Sequence, residues 1–506
     1  MSEESKDINQ TTEQSTQTSS YRSIFKATSL FGGVQVYNIL ISIIKSKFVA
    51  ILLGPAGMGI QGLLQSATQL IQSFTSFGLS QSAVRDISEA NATGDNLKIG
   101  KTISIVRRLV WGTGLLGLVV TLVLSPLLSK YSFGNYDYTI PFVLLSMTLL
   151  LDQLCVGQKV LLQGLRRLSY LAKASSIGAT LGLLVSIPIY YLFGIRGIVP
   201  TLILTSLTSL LLTWYYSRKV KIEKIKINNK QALTDGRDML KMGLALSISS
   251  ILALLCAYLL RSFIRYQDGV EQVGFFTAGW AIMNTYVGMV FTAMGTDYYP
   301  RLAAVNKDNE KCKQIINQQG EIAIIIIAPL VLACVIFMPF IVRLLYSSAF
   351  DPASDYILWA IVGMIFKAAS WVVSYVFLAK SESRLFIVNE TIGNIYTLSF
   401  NLLGYYLAGL EGLGISFVFS YMVYLLQVYL ISKYRYNFAF SRVFLKIFYA
   451  QLLLVFIGVI LVHVLDTYWV FVPLSILLII STIYSYKELD NRINISQLLK
   501  TILVKR

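Results

Sequence analysis

Apolar runs of about twenty residues or more, separated by short polar segments, fill the chain from about residue 24 to residue 487. That length matches a lipid bilayer, because a membrane-crossing helix needs roughly 20 apolar residues. Fourteen runs can be placed. Twelve lie near 24–45, 55–79, 104–128, 139–160, 171–193, 195–217, 241–263, 272–298, 320–342, 353–378, 383–407 and 411–433. The last two lie near 445–464 and 467–487. The pattern predicts an all-α, polytopic membrane protein of about 14 transmembrane helices, built as two pseudo-symmetric six-helix bundles plus a C-terminal helix pair. Residues 1–20 are polar and lack the apolar core of a signal peptide, so they are expected to form a disordered cytoplasmic tail. The expected organisation continues with an N-terminal six-helix bundle over 21–217, a cytoplasmic connector over 218–240 and a C-terminal six-helix bundle over 241–435. Residues 436–506 supply the extra helix pair and a second cytoplasmic tail.

Composition agrees. The chain has 506 residues, 55% of them hydrophobic, and only 14% charged, against about a quarter in soluble domains. The net charge of +17 would suggest nucleic acid in a soluble protein. Here the cations sort by membrane side instead, as cytoplasmic loops collect Lys and Arg. Placing both termini in the cytoplasm puts 35 of the 43 Lys and Arg on that face, seven on the other and Lys367 in mid-span. Nucleic acid is therefore excluded as a partner, and an even number of crossings is favoured. No loop is long enough for a soluble catalytic domain.

Apparent catalytic motifs dissolve in this setting. Gly112–Gly117 (GTGLLG) fits a dinucleotide fingerprint but lies inside an apolar run, where small residues serve helix packing. Gly94–Thr102 (GDNLKIGKT) resembles a phosphate loop, but its glycines are separated by five residues and follow no strand. Cys155, Cys256, Cys312 and Cys334 have no metal-ligand spacing, and Cys312 reads as part of a polar loop. No catalytic residue, metal site or cofactor is predicted.

The two halves repeat. An offset of 215 residues superposes Gly59 on Gly274, Lys98 on Lys313 and YYLFGIRG (Tyr190–Gly197) on YYLAGLEG (Tyr405–Gly412). Each half contains an even number of crossings, so the repeats are parallel. Parallel bundles facing each other enclose a cavity, and transport would proceed by rocking around it. Charges that ignore the topology rule then become informative, because a charge inside a bilayer must pair or face water. Lys45 and Lys47 are expected to end span one on the non-cytoplasmic side, and Arg261 and Arg265 to end span seven at the matching place. Together they suit an anion clamp. Lys367 lies mid-span, at the repeat position of Asp152, and Glu390 lies in the next span. A Lys367–Glu390 pair is the simple expectation. The alternative makes Asp152 or Glu390 an ion-coupling group.

The segment Lys47–Gly59 (KFVAILLGPAGMG) combines a cation, an apolar run and Gly54-Pro55-x-Gly57-x-Gly59. It resembles the junction of spans one and two in the O-antigen flippase family, within the multidrug/oligosaccharidyl-lipid/polysaccharide exporter superfamily. Arg261, Gly274, Tyr299-Pro300-Arg301-Leu302, Lys367 and Phe386–Glu390 extend the resemblance over residues 24–435. Asp152 has no counterpart in the family pattern, and the last helix pair departs from the twelve spans of many members. The resemblance implies transport without enzymatic chemistry. The substrate would be an undecaprenyl-diphosphate-linked oligosaccharide, moved by alternating access from the cytoplasmic to the periplasmic leaflet of a bacterial inner membrane. Lys47, Arg261, Lys45, Arg265 and Lys367 would meet its diphosphate and glycan. Membrane lipids, and a polysaccharide polymerase, are the further partners implied. A lipid II flippase and a cation-coupled drug antiporter of the same superfamily remain as alternatives.

Overall fold

The computed structural model describes residues 33–223, 225–465 and 469–492, without the side chains of Tyr286 and Thr296. The tail expected over residues 1–20 lies outside them. The described elements are helices throughout: α1 (Gly33–Thr75), α2 (Leu79–Ala92), α3 (Asn96–Phe133), α4 (Thr139–Gly164), α5 (Leu168–Phe193) and α6 (Ile198–Arg218). A short α7 (Asn229–Asp235) precedes α8 (Arg237–Asp268) and α9 (Val270–Ala281). A π-helical turn (Ile282–Val287) leads into α10 (Met289–Ala304), then α11 (Asn309–Leu345), α12 (Ala353–Ala379), α13 (Ser383–Tyr436), α14 (Arg442–Val464) and α15 (Phe471–Arg492).

Among the described residues, eleven segments are long and apolar enough to cross a membrane. Three are far longer than one crossing requires: Gly33–Thr75 has 43 residues, Leu168–Arg218 has 51 and Ser383–Tyr436 has 54. At 1.5 Å per residue each exceeds about 60 Å, twice a hydrocarbon core of about 30 Å. Each is broken near its middle by glycine. Gly54 (φ 65°) interrupts α1, Gly194 (φ 53°) separates α5 from α6, and Gly409 (φ 55°) interrupts α13. Only glycine adopts this half of φ space without strain. Pro55 then supplies the fixed φ that starts the next helix.

These breaks recur at the offset read from the sequence. Gly54 (ψ −172°) is matched by Gly269 (φ 87°, ψ −176°), and Gly194 (ψ −132°) by Gly409 (ψ −134°). Arg166 (φ 55°) and Ser381 (φ 58°), both outside the left-handed residue's usual repertoire, also stand 215 residues apart. The repeat thus extends to backbone conformation.

The helix ends correct one expectation. Span one does not stop at Lys45. Lys is a good helix former, and the helix runs on to Gly54, so Lys45 and Lys47 lie about two turns inside it. Arg265, by contrast, lies in the last turn of α8, which ends at Asp268, with Arg261 one turn before it, so these cations do stand near the helix end as expected.

The chain forms two compact units. Unit 1 holds the chain to Leu52 and Ala67–Ile248; unit 2 holds Leu53–Ser66 and the chain from Ser249 onward. The core of unit 1 gathers Leu79, Ile87, Val106, Leu109, Leu161 and Leu162 with Ile227 and Ala232. The last two belong to the segment expected to be a charged connector. Its Ile222, Ile225 and Ile227, set between charged residues, pack on this core, and Lys101 fixes the segment through Asp235 at 2.8 Å. In unit 2, α12 is enclosed over most of its length, and Tyr298 donates to the Val372 carbonyl at 2.6 Å. Helices α14 and α15 pack on α11. They are joined by Gln451 to Ser481 and Ser485, and Arg492 reaches Glu321 at 2.9 Å. Cys312, expected in a loop, is buried in α11 with its thiol on the Val305 carbonyl. Outward faces are apolar, as Leu115, Val119 and Val123 on α3 show, which makes this a multi-pass membrane protein.

Candidate functional site

The site in unit 2 begins with glycines. A Cβ on Gly59 would strike the Val270 carbonyl, and one on Gly274 would strike the Pro55 carbonyl. Two positions related by the repeat therefore hold the second half of α1 in backbone contact with α9, as close helix crossings require. Gly57 is buried beside them. This junction sets the start of α9, whose Phe276 faces Arg261 of α8.

Arg261 carries the cation. Its guanidinium lies 5.4 Å from the Phe276 ring centroid, and Nη1 donates to the Ala257 carbonyl of its own helix at 3.2 Å. Its Nε is enclosed yet has no hydrogen-bond partner, and neither does the Tyr356 hydroxyl nearby. A buried polar group without a partner costs about 1–3 kcal/mol, and more when charged. Among the described residues Arg261 forms no ion pair with Asp268 or Glu271.

An aromatic row links this cation to the next charges. Phe276 and Tyr356 are 5.4 Å apart, and Tyr356 lies within electrostatic reach of both Arg261 and Tyr421. Tyr421 is 5.3 Å from the ammonium of Lys367 and 6.4 Å from Tyr424. Lys367 donates to Asn284 Oδ1 at 3.0 Å, and the Phe291 ring lies 5.9 Å away. Asn284 belongs to the π-helical turn, a local widening that often marks functional positions.

The expected Lys367–Glu390 pair is not formed. Glu390 instead accepts the hydroxyl of Tyr424 and the amide of Asn389 at 3.4 Å, and Gln427 in turn donates to Asn389 at 2.8 Å. These partners lie on the two halves of α13, so the helix hairpin, not α12, satisfies Glu390. Beyond Lys367, Trp371 and Tyr375 follow at intervals of four residues on the same face of α12. Their rings are 4.9 Å apart, with Tyr298 and Tyr299 of α10 beside them. Neither Asn284 nor this aromatic ladder stood out by charge or spacing among so many apolar residues; only the 367/371/375 interval was available in the sequence.

In unit 1, Lys45 and Lys47 are half-buried on α1. Asp152 of α4 accepts a hydrogen bond from Ser206 of α6, with Lys159 two turns away. Asp152 and Ser206 are the repeat positions of Lys367 and Tyr421, so the same pair of positions meets in both halves with different chemistry. Arg265 lies one turn beyond Arg261 on α8.

An enclosed guanidinium donor without a partner and a half-buried lysine held by an amide oxygen, both set among apolar membrane-crossing helices, suit a membrane transporter. The comparisons give its kind. Residues 24–306 match the family described as polysaccharide biosynthesis protein, and residues 166–482 match that of the lipid II flippase MurJ. The chain belongs to the flippases of the multidrug/oligosaccharidyl-lipid/polysaccharide exporter (MOP) superfamily. The lipid III flippases of Escherichia coli (strain K12) and Shigella flexneri are each 20% identical to it over 378 residues, covering 73% of this chain and 88% of theirs. Its fold is that of an inward-facing MATE multidrug transporter of the MOP superfamily, with a TM-score of 0.64 at 16% identity over 79% of this chain and 94% of that one. Lipid II flippase MurJ in an inward closed conformation gives 0.63 at 12% identity over 92% and 98%.

Proposed function

We propose that this flippase moves an undecaprenyl-diphosphate-linked oligosaccharide, a repeat unit of O-antigen or another surface polysaccharide, to the periplasmic leaflet of a bacterial inner membrane by alternating access. The observation that carries the reading is Arg261, a half-buried cation whose enclosed Nε is an unused donor and which has no carboxylate in ion-pair contact among the described residues. A diphosphate would supply the missing acceptor. Lys367, held by an amide oxygen rather than a carboxylate, would be the second contact. Trp371 and Tyr375 would stack on sugar faces. Lys45, Lys47 and Arg265 would add positive potential along the route, while Asp152 and Glu390 are candidates for ion coupling. Fourteen crossings, with both termini cytoplasmic and two six-helix bundles followed by the helix pair, complete the proposal. Delivery to a polysaccharide polymerase would follow.

A second reading, lipid II transport, is favoured by the match of residues 166–482 to the MurJ family. Both cargoes carry a polyprenyl diphosphate, so the glycan separates them.

The test is gene deletion with analysis of lipid-linked intermediates, followed by complementation. Loss of surface glycan with accumulated cytoplasm-facing intermediate, restored by wild type and not by Arg261→Ala, supports the proposal. A block in peptidoglycan synthesis supports lipid II. Normal glycan with new sensitivity to cationic drugs overturns both and indicates a drug antiporter.

A further inference from the structure

Two clefts lie side by side on unit 1, of about 1030 Å³ and 590 Å³, where α3, α4 and α6 meet the connector. They share Arg107 and Trp111. The second wall of the smaller cleft is Arg218, stacked at 3.8 Å on Trp214, and the two guanidiniums are close enough to repel each other. Among the described residues neither Arg107 nor Arg218 forms an ion pair. The nearby acid of the connector, Asp235, is already taken by Lys101, and Arg108 donates to the Asn229 amide oxygen at 2.6 Å.

The surroundings define what would neutralise them. Trp111 is 52% exposed and Trp214 is 41% exposed, and one turn along α3 the exposed Leu115 and Leu116 line the larger cleft. Tryptophan gathers at the membrane–water interface, and basic clefts between helices at that level bind lipid headgroups. A soluble phosphate ester would satisfy the arginines but leave the leucines against water. A lipid satisfies both. The clefts also lie on the face that collects Lys and Arg.

We propose that Arg107 and Arg218 hold the phosphate of a resident anionic phospholipid, whose acyl chains lie along Trp111, Leu115 and Leu116. The site belongs to unit 1 alone and does not depend on the identity of the transported cargo.

The test uses purified full-length protein in detergent, titrated with phosphatidylglycerol or phosphatidylcholine and read by native mass spectrometry. Wild type should prefer phosphatidylglycerol. Removing one cation, Arg107→Gln, should weaken that lipid about fivefold, and Arg107→Gln with Arg218→Gln roughly 30-fold. The double change to Lys should retain most of the binding. Arg435→Gln, which removes a cation already paired with Glu382 in unit 2, should leave it unchanged. If the double Gln variant binds within twofold of wild type, or phosphatidylcholine binds equally well, the proposal fails. It also fails if a short-chain polyprenyl diphosphate displaces phosphatidylglycerol at far lower concentration, because the cleft would then receive cargo. Should the double Gln variant not fold, Arg107→Gln alone decides, since that side chain is exposed and unpaired.

Discussion

Lys367 and Glu390 are close in sequence logic but separate in the structure, and a double-mutant cycle exposes the difference. Lys367→Met removes a charged hydrogen bond to Asn284, worth about 1.5–3 kcal/mol, and cation–π contact with Tyr421 and Phe291, worth about 0.5–1 kcal/mol. It also removes the penalty of holding an ammonium among apolar helices. These terms oppose each other, so unfolding stability should change by less than about 2 kcal/mol. Glu390→Gln keeps an acceptor for Tyr424, so its cost should also be modest. The interaction energy from wild type, both single variants and the double variant should then be under about 0.5 kcal/mol, as for groups without shared partners. A buried ion pair would behave otherwise. Each single change would cost about 3–5 kcal/mol by stranding its partner, and the double change would recover much of it. The assay is unfolding in nanodiscs for the four proteins, with glycan export measured in parallel. Export should fall with Lys367→Met even where stability does not. A coupling above about 2 kcal/mol would refute the separation of these two charges.

Three further outcomes follow. Gly59→Ala should destabilise by about 1–3 kcal/mol, because its methyl group meets the Val270 carbonyl, whereas Gly112→Ala has open space and should be neutral or slightly stabilising; thermal unfolding compares them. Arg492→Ala should strand Glu321, which is 12% exposed, at a cost of about 3–5 kcal/mol, and should raise proteolysis or hydrogen exchange in α15 first. Asp308 caps α11 by accepting the Glu310 and Lys311 amides, which lowers its pKa below the ordinary carboxylate value. A lowered folded-state pKa contributes stability above the unfolded value of about 3.9, and that stability is lost as pH falls through the folded value. Exchange at those two amides, corrected for intrinsic rate, should stay flat from neutral pH to about 5 and speed up below about 4, and Asp308→Ala should abolish the transition.

The apolar runs, the repeat and the Gly-Pro junction were legible because each depends on one-dimensional information. Run length answers to bilayer thickness, and a break in a helix needs glycine or proline at that residue. The cations marked the end of α8, where Arg265 lies in the last turn, but not the end of the first half of α1. Lys45 looked like a terminus because charge often marks the membrane surface, but nothing in lysine stops a helix. The packing of the connector on unit 1 was not read from the sequence for a related reason. Its seven cations dominate the segment, and Ile222, Ile225 and Ile227, spaced by three and two residues, follow neither a strict strand period nor a helical one. The Lys367–Glu390 pairing failed because opposite charges near each other in sequence need not share a face. Tyr424 reached Glu390 from across the hairpin, and no local pattern announces such a contact.

The repeat also separates what the fold requires from what the function requires. Glycines at 54 and 269, and at 194 and 409, have kept both residue type and conformation, because each hairpin needs its break. Positions 152 and 367 have kept their place but reversed their charge. Their neighbours, Ser206 and Tyr421, changed with them, from a hydroxyl that donates to a carboxylate to a ring that receives an ammonium. A scaffold alone has no use for an ionised group at either position, since an apolar residue would pack there at lower cost. Inversion of charge at equivalent positions means that the two halves present different electrostatic surfaces while sharing one architecture. Exchanging the pairs tests this. Asp152→Lys with Ser206→Tyr should preserve folding, because the geometry is already proven in the other half, yet it should impair export. If export survives, the asymmetry of charge between positions 152 and 367 has no role in transport, and Arg261 and Lys367 suffice for the polarity of the site.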